Sequence, residues 1–477
     1  MKERKTKIVC TLGPATTEKR MLESLVRTGM NVARLNMSHG THEEKAVVIN
    51  ELREIRKRLG IPLAIMIDVE GPKIRTGKLK RDQVELKKGS TLILTTEEIL
   101  GDETKISVDY KGLPADVEPG DKILMNDGLI ALKVLKSTDK EIECEVLNTG
   151  TITHHRGLNI PGVDLKIPPF TSKDMKDLEF AAKVKPEYIA QSFVRKADDV
   201  LKAREILREN GMKNAKIISK IETKQALENL EEILNVSDGA MVARGDLGVE
   251  TDPEDLPVAQ KRIISMCNER AMPVITATQM LESMVNNPRP TRAEITDVAN
   301  AVLDGTDAVM LSEETAVGKY PLEAVEFMDK IARRTEEYMN GSEKSRVLSK
   351  TIACKDVSAA ISVSAWQLSV ELKSNVIVAS TSSGLTARHV SRFKPSAIIL
   401  SPTPNETTYH ALALVWGVLP VMVDKIDSTD KMIEQSTEKL LAYGLAKPGD
   451  KIVLTAGIPW GISGTTNMIK IQEIPKE

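Results

Sequence analysis

Cysteine and surplus charge are both scarce in this 477-residue chain. The four cysteines, Cys10, Cys144, Cys267 and Cys354, include no CxxC pair, which argues against a disulfide framework and against a cysteine zinc site. A reducing, cytoplasmic setting is therefore expected. Lys plus Arg number 66 and Asp plus Glu 68, a net charge of -2, so no long-range field draws in nucleic acid or an anionic membrane. Any anion must be bound locally. No run of 18 apolar residues occurs, and the basic start MKERKTKIVC leads into a short apolar run with no signal-peptide core, so neither a membrane span nor a leader is expected. The six histidines form no ligand set: His39 and His42 sit three apart at a helix start, and His154 and His155 are adjacent. Zinc and a histidine base are not expected.

With 41% hydrophobic and 28% charged residues, the chain has apolar mass for several cores, about three at roughly 150 residues each. Short β-branched runs alternate with amphipathic helical stretches, the pattern of parallel βα units. KIVCTL (7–12), NVARLNM (31–37) and PLAIMIDV (62–69) come first; EYIAQSF (187–193), KIISKI (216–221), GAMVA (239–243), PVITAT (273–278) and DAVMLS (307–312) follow. Eight such units close a (β/α)8 TIM barrel, predicted over residues 1–75 and 163–340. Between 76 and 162 the helical period gives way to alternating runs and an Asn126-Asp127-Gly128 turn, which predicts an inserted β-rich, barrel-like domain placed as a movable cover. A polar linker is expected at 340–349, and residues 341–477 read as an α/β domain with an open sheet.

Barrel chemistry gathers at the carboxyl ends of the strands. There the sequence places Arg34, Asn36 and Ser38; Asp68; Lys220 and Glu222; Arg244-Gly245-Asp246; Thr278; and Ser312 and Glu314. Glu222 and Asp246 are hard oxygen ligands suited to Mg²⁺ or Mn²⁺, unless each is taken by a neighbouring cation. Asp246 is expected in a Gly-flanked turn, and the backbone N–H groups of the Gly245-Asp246-Leu247 segment are candidates to receive a carboxylate or phosphate. Lys220, in an apolar run, calls for an anion such as a transferring phosphoryl group, or for Glu222 alone. Arg34 and Arg75 are candidate phosphate clamps. In the third region Thr381-Ser382-Ser383-Gly384-Leu385-Thr386 follows a strand and opens a helix: a phosphate loop, or an ordinary helix cap. The segment 461–467 is a candidate lid for it.

KIVCTLGPAT (7–16), NVARLNMSHG (31–40), GPKIRTG (71–77), ISKIET (218–223), MVARGDLGVE (241–250), ATQMLESM (277–284), the stretch 290–312 and TSSGLTAR (381–388) together resemble pyruvate kinase over essentially the whole chain. The resemblance implies phosphoryl transfer from phosphoenolpyruvate to ADP. It implies Lys220 on the moving phosphoryl, Glu222 and Asp246 on the divalent metal, Arg34 on phosphate, and Thr278 near the carbon that is protonated. Ser312 and Glu314 would serve the proton relay, Ser192 and Gly245 the substrate shell, and Arg75, Asn36 and Arg156 the nucleotide. A phosphorylated allosteric effector would sit on Thr381, Ser382, Ser383, Gly384 and Thr386, closed over by Gly461, Ser463 and Gly464, in a homotetramer. The chain stops at Glu477, so the extra C-terminal domain of some bacterial members is not expected.

Many members read Asp-Thr-Lys-Gly-Pro-Glu after the third strand and use K⁺ beside Asn, Ser and Asp side chains. Here the string is Asp68-Val69-Glu70-Gly71-Pro72-Lys73. Val69 lacks a hydroxyl, and Lys73 is expected to bring its ammonium to the K⁺ region of Asn36, Ser38 and Asp68, where it compensates Asp68. K⁺ is accordingly not expected to be required. The other departure is Glu313 in place of the usual glycine, with no reason for it visible in the sequence.

Overall fold

The computed structural model describes residues 4–340, 356–459 and 466–476. Strands β1 (Lys7–Leu12), β2 (Val32–Asn36), β3 (Ala64–Val69), β4 (Tyr188–Gln191), β5 (Ile217–Ile221), β6 (Gly239–Ala243), β7 (Val274–Ala277) and β8 (Ala308–Leu311) form one closed barrel in sequential order. All their pairings are parallel, β8 closing onto β1 through Lys7↔Ala308. The strands are almost wholly buried, as parallel strands sandwiched between side-chain layers and helices must be. Helix starts follow local logic. Thr41 with Glu44, Thr171 with Asp174 and Thr291 with Glu294 each form a reciprocal cap of the first-turn N–H groups.

Alternation along the strands decides what faces the barrel axis. Val9, Val32, Met66, Ala190, Ile218 and Met310 belong to the inner cluster. Two residues further along the same faces come Thr11, Arg34, Asp68, Ser192, Lys220 and Ser312, so strand parity alone delivers a polar layer at one end. Val69 is off this parity; it packs with Ile65 and Ile67 between strands and helices. A hydroxyl at that position would not reach the mouth, which removes the argument drawn from its absence.

After β3 the chain turns at Gly71, whose φ is +73° and where an added Cβ would lie 2.9 Å from the Ser192 carbonyl oxygen; only glycine fits. The insert is a seven-stranded sheet from Ile74–Arg75 to Gly157–Asn159 plus a two-stranded ribbon, with a core of its own that includes Leu94, Ile123, Leu132 and Ile152. Its hairpin between Lys122–Met125 and Ile130–Ser137 turns on Asp127 (φ 54°) and Gly128 (φ 84°), with Leu129 N donating to Asn126 O. Positive φ at both central residues is the primed-turn geometry that matches strand twist.

The third region is an open five-stranded sheet. Strands β9 (Val376–Ala379), β10 (Ile398–Thr403), β11 (Val418–Met422) and β12 (Lys451–Gly457) are parallel, and β13 (Thr466–Glu473) is an antiparallel edge. Its segment 411–414 plugs the amino-terminal end of the barrel, with Ala411, Ala413 and Leu414 in the inner cluster. Tyr188 Oη donates to Ala411 O at 2.8 Å. The expected linker at 340–349 lies, apart from Asn340, outside the described residues; Asn340 ends the helix Pro321–Asn340.

Candidate active site

The polar layer meets at the carboxyl end of the barrel. Arg34 Nε donates to Asp68 Oδ2 at 2.6 Å, and another guanidinium nitrogen of Arg34 reaches Thr11 Oγ1 at 2.8 Å. Lys220 Nζ lies 2.7 Å from Ser192 Oγ, 3.0 Å from Glu222 Oε1 and 3.4 Å from Asp68 Oδ1. Phe193 N, at a positive φ of 51°, donates to Glu222 Oε2 at 2.6 Å.

Charge balance in this layer explains its titration. Burial works against ionising Asp68, but the Arg34 guanidinium and the Lys220 ammonium outweigh it and hold the carboxyl below its usual range. Burial likewise opposes the Lys220 charge, and Asp68 and Glu222 overcome it, so the ammonium is held more firmly than usual. Glu222 differs: burial pushes it up, Lys220 opposes, and the negative charge of Asp246 adds to the rise. Each of the two carboxylates has a lysine partner, Glu222 in Lys220 at 3.0 Å and Asp246 in Lys73 at 2.8 Å, so the pairing with neighbouring cations left open by the sequence is present.

A divalent cation here would compete with those lysines for the two hard carboxylates. Among the described residues no group of three or more His, Cys, Asp or Glu is placed to hold a metal; Mg²⁺ held by these two carboxylates would take water and substrate oxygens at its other positions. Asp246 is not in a loop turn as expected. It lies on the first turn of the helix Arg244–Glu250, which begins directly after β6. The Gly245 N–H is also not open to an anion, because it donates to Thr278 Oγ1 at 2.8 Å. Thr278 itself sits at φ +67° and donates to Ala277 O at 2.6 Å.

Other expected residues are placed differently. Lys73 does not compensate Asp68: its Nζ pairs with Asp246 Oδ1 at 2.8 Å and lies 5.7 Å from the centre of the Phe193 ring, while Arg34 and Lys220 serve Asp68. The Arg75 guanidinium is engaged by Glu70 Oε1 at 2.6 Å. Arg156 is exposed on the insert, its Nε on Thr153 Oγ1 at 2.6 Å. Asn36 Oδ1 accepts from Ser38 N at 3.0 Å, and Met37 N from the neighbouring turn donates to Asp68 O, so Asn36, Ser38 and Asp68 do share one end of the barrel.

Glu314 is buried, and burial pushes its carboxyl up. Its oxygens accept from Leu281 N at 3.0 Å and Ser312 N at 2.6 Å, so it braces the loop after β7. Glu313 is exposed on the first turn of the helix Glu313–Ala316 and has no positive φ. Glycine is not needed there, and a carboxylate at a helix start is favourable.

Sequence reasoning gave no role to four members of the site, although it placed Arg244 at a strand end. Thr11 shares the inward parity of Val9, which was the available signal. Glu70 and Phe193 had none. Arg244 is buried and ties Ala277 O, Thr278 O and Asp297 together at 3.1, 2.6 and 2.7 Å; an arginine directly after an apolar strand was the clue.

In the third region Gly384, at φ +89°, precedes the helix Leu385–Ser391. Its N–H donates to Thr381 Oγ1 at 2.9 Å. Thr386 Oγ1 and Thr466 Oγ1 share a hydrogen bond of 2.9 Å, while Ser382 is exposed and Ser383 half-buried. Gly461, Ser463 and Gly464 lie outside the described residues.

Residues 3–325 match the family model described as pyruvate kinase, barrel domain, and residues 359–472 the one described as pyruvate kinase, alpha/beta domain. The chain belongs to the pyruvate kinase family. It is 47% identical over 471 residues to the pyruvate kinase of Thermotoga maritima, covering 99% of this chain and 100% of that one. To the Clostridium acetobutylicum pyruvate kinase it is 45% identical over 471 residues, covering 98% and 99%. A pyruvate kinase from Staphylococcus saprophyticus is 47% identical over 477 residues, of which this chain covers 81% of the length. A crystal structure of a pyruvate kinase from Cryptosporidium parvum superposes with a TM-score of 0.93 at 39% identity, covering 99% of this chain and 96% of that one. As a pyruvate kinase the protein is a phosphotransferase of glycolysis, with phosphoenolpyruvate and ADP as its implied substrates. Among the described residues no helix is long and apolar enough to cross a membrane.

Proposed function

We propose that the polar layer carries the reaction with these divisions of labour. Lys220 neutralises the phosphoryl group as its bond to the enol oxygen of phosphoenolpyruvate breaks and a bond to the terminal phosphate oxygen of ADP forms. Arg34 meets phosphate oxygens, while Ser192 and the Gly245 turn of helix shape the substrate pocket. The enolate left behind takes a proton at carbon on the side of Thr278, and Ser312 and Glu314 hold the loop through which that proton arrives. Arg75, Asn36 and Arg156 face the nucleotide under the insert. Glu222 and Asp246 hold a divalent cation, which when bound supplies positive charge to the phosphoryl and enolate oxygens. The observation that carries this reading is the Lys220 ammonium set among Ser192, Glu222 and Asp68 at 2.7 to 3.4 Å. An assay of ATP formation from phosphoenolpyruvate, ADP and Mg²⁺ tests it; a Lys220→Met enzyme with undiminished turnover would overturn it.

Three finer features belong to the same proposal. Turnover proceeds without K⁺, the fixed Lys73 ammonium serving in the ion's place at the mouth of the barrel although its carboxylate partner is Asp246 and not Asp68. Strong activation by KCl over a tetraalkylammonium salt at equal ionic strength would refute this. The Thr381–Thr386 loop binds a phosphorylated effector, its hydroxyls and N–H groups supported by the helix that follows. Phosphoenolpyruvate titrations with fructose 1,6-bisphosphate, AMP and a sugar monophosphate identify the effector by the curve that loses its sigmoidal shape. The enzyme works as a cytoplasmic homotetramer, in keeping with the buried free thiols Cys10, Cys144 and Cys267; sedimentation velocity reads the assembly.

A further inference from the structure

The helix Arg244–Glu250 is only seven residues long, yet it touches the insert at three separate places. At its first turn Asp246 pairs with Lys73, the residue just before the strand Ile74–Arg75 by which the chain leaves the barrel. At its last turn Glu250 Oε1 accepts from Asn159 Nδ2 at 2.8 Å, on the strand by which the chain returns. One residue earlier, Val249 lies against the hairpin turn: an added Cβ on Gly128 would be 3.5 Å from Val249 Cγ1. The two hinge strands are themselves paired through Gly157↔Arg75 and Leu158↔Ile74.

Glu250 and Asn159 are both buried, at 8% and 6% exposure. A buried carboxyl group is costly unless its hydrogen bonds are made, and Asn159 is its side-chain donor. Around this bond the fit is loose. A cavity of about 560 Å³ opens between insert and barrel, bounded by Leu124, Asp127, Val249, Glu250 and Asp252 among others.

We propose that Glu250 is a positioning residue that latches the insert, through Asn159, to the helix bearing Asp246, so that closure of the cover and the aim of Asp246 are set together. This rests on the reading of the insert as a cover over the nucleotide and of Asp246 as a metal ligand.

The full-length enzyme is compared with Glu250→Ala, Glu250→Gln, Asn159→Ala and the Glu250→Ala/Asn159→Ala double variant. Loss of one partner of a buried hydrogen bond leaves the other unsatisfied, which corresponds to roughly a tenfold change. Each alanine variant is expected to raise the KM for ADP by about that factor, with kcat changed less than about threefold. Backbone hydrogen exchange should rise in segments 122–131 and 157–160. The double variant should be no worse than either single one, and Glu250→Gln, whose amide oxygen still accepts from Asn159, should behave as the parent. Additive losses, equal damage from glutamine and alanine, or unchanged exchange would overturn the latch. Mn²⁺ titration of Asp246→Asn separates the two readings: retained metal binding refutes the metal assignment, while the exchange data still judge the latch.

Discussion

Lys220 Nζ, on β5, lies 3.0 Å from Oε1 of Glu222, the residue that directly follows the strand, so one strand end supplies both the proposed phosphoryl cation and a proposed metal carboxylate. Their roles separate by substitution. Lys220→Met is expected to lower kcat by about 10³-fold, the scale of losing one preorganised charge-stabilising donor. Mn²⁺ affinity should be retained or rise, because Glu222 loses a competing cation. Glu222→Gln should do the reverse to the metal, weakening Mn²⁺ by at least about tenfold, since even residues that only support ligands cost that much. Isothermal titration of the two variants with Mn²⁺ checks both.

The Glu313 substitution carries a second expectation. Its side chain is exposed and its backbone helical, so Glu313→Gly removes a favourable charge at a helix start and adds backbone freedom, together about 1 kcal/mol. Turnover should stay within about twofold of the parent while the thermal midpoint falls slightly. A large loss of kcat would mean that this carboxylate takes part in the reaction.

What could be read from the sequence followed periodicity. The eight strands sit within two residues of their expected bounds because buried parallel strands are apolar runs with clear ends, and alternation then fixes Arg34, Asp68 and Lys220 on one face. What could not be read was pairing between distant segments. Likeness to the family's K⁺ region places Lys73 with Asp68, yet the hinge carries it across to Asp246. Asp246 was placed in a turn on the strength of its flanking glycines, which a helix that starts directly after β6 accommodates equally well. The bond between Asn159 and Glu250 spans 91 positions and leaves no local trace.

The barrel base offers a test of how the third region is attached. Lys394 Nζ pairs with Asp307 Oδ1 at 3.1 Å with both side chains buried, and Asp307 also accepts from Trp416 N and Val274 N at 3.1 Å. Asp307→Ala leaves an ammonium and two N–H groups without this acceptor, a loss of about 4 kcal/mol. Lys394→Met leaves a carboxylate that still has its two backbone donors, so it should cost less. Denaturant unfolding followed by tryptophan fluorescence should rank the variants in that order; equal loss would mean that the ammonium, not the carboxylate network, anchors the interface.

The last expectation concerns pH. Burial, reinforced by the negative charge of Asp246 and opposed by Asn159 and Lys73, pushes the Glu250 carboxyl up to about 7. In the unfolded chain it titrates near 4.3. Between those values the folded protein holds a proton that the unfolded chain has released, so this group makes stability fall as pH rises through that window, and the loss is complete above about pH 7. Glu250→Gln has no such proton to lose and keeps the acceptor for Asn159. It should therefore unfold at a higher temperature than the parent at pH 8, by an amount corresponding to at most about 4 kcal/mol, and the gap should close as pH falls toward 4.5. A constant gap across the range would show that Glu250 stays ionised in the folded enzyme, with Lys73 rather than Asp246 dominating its surroundings.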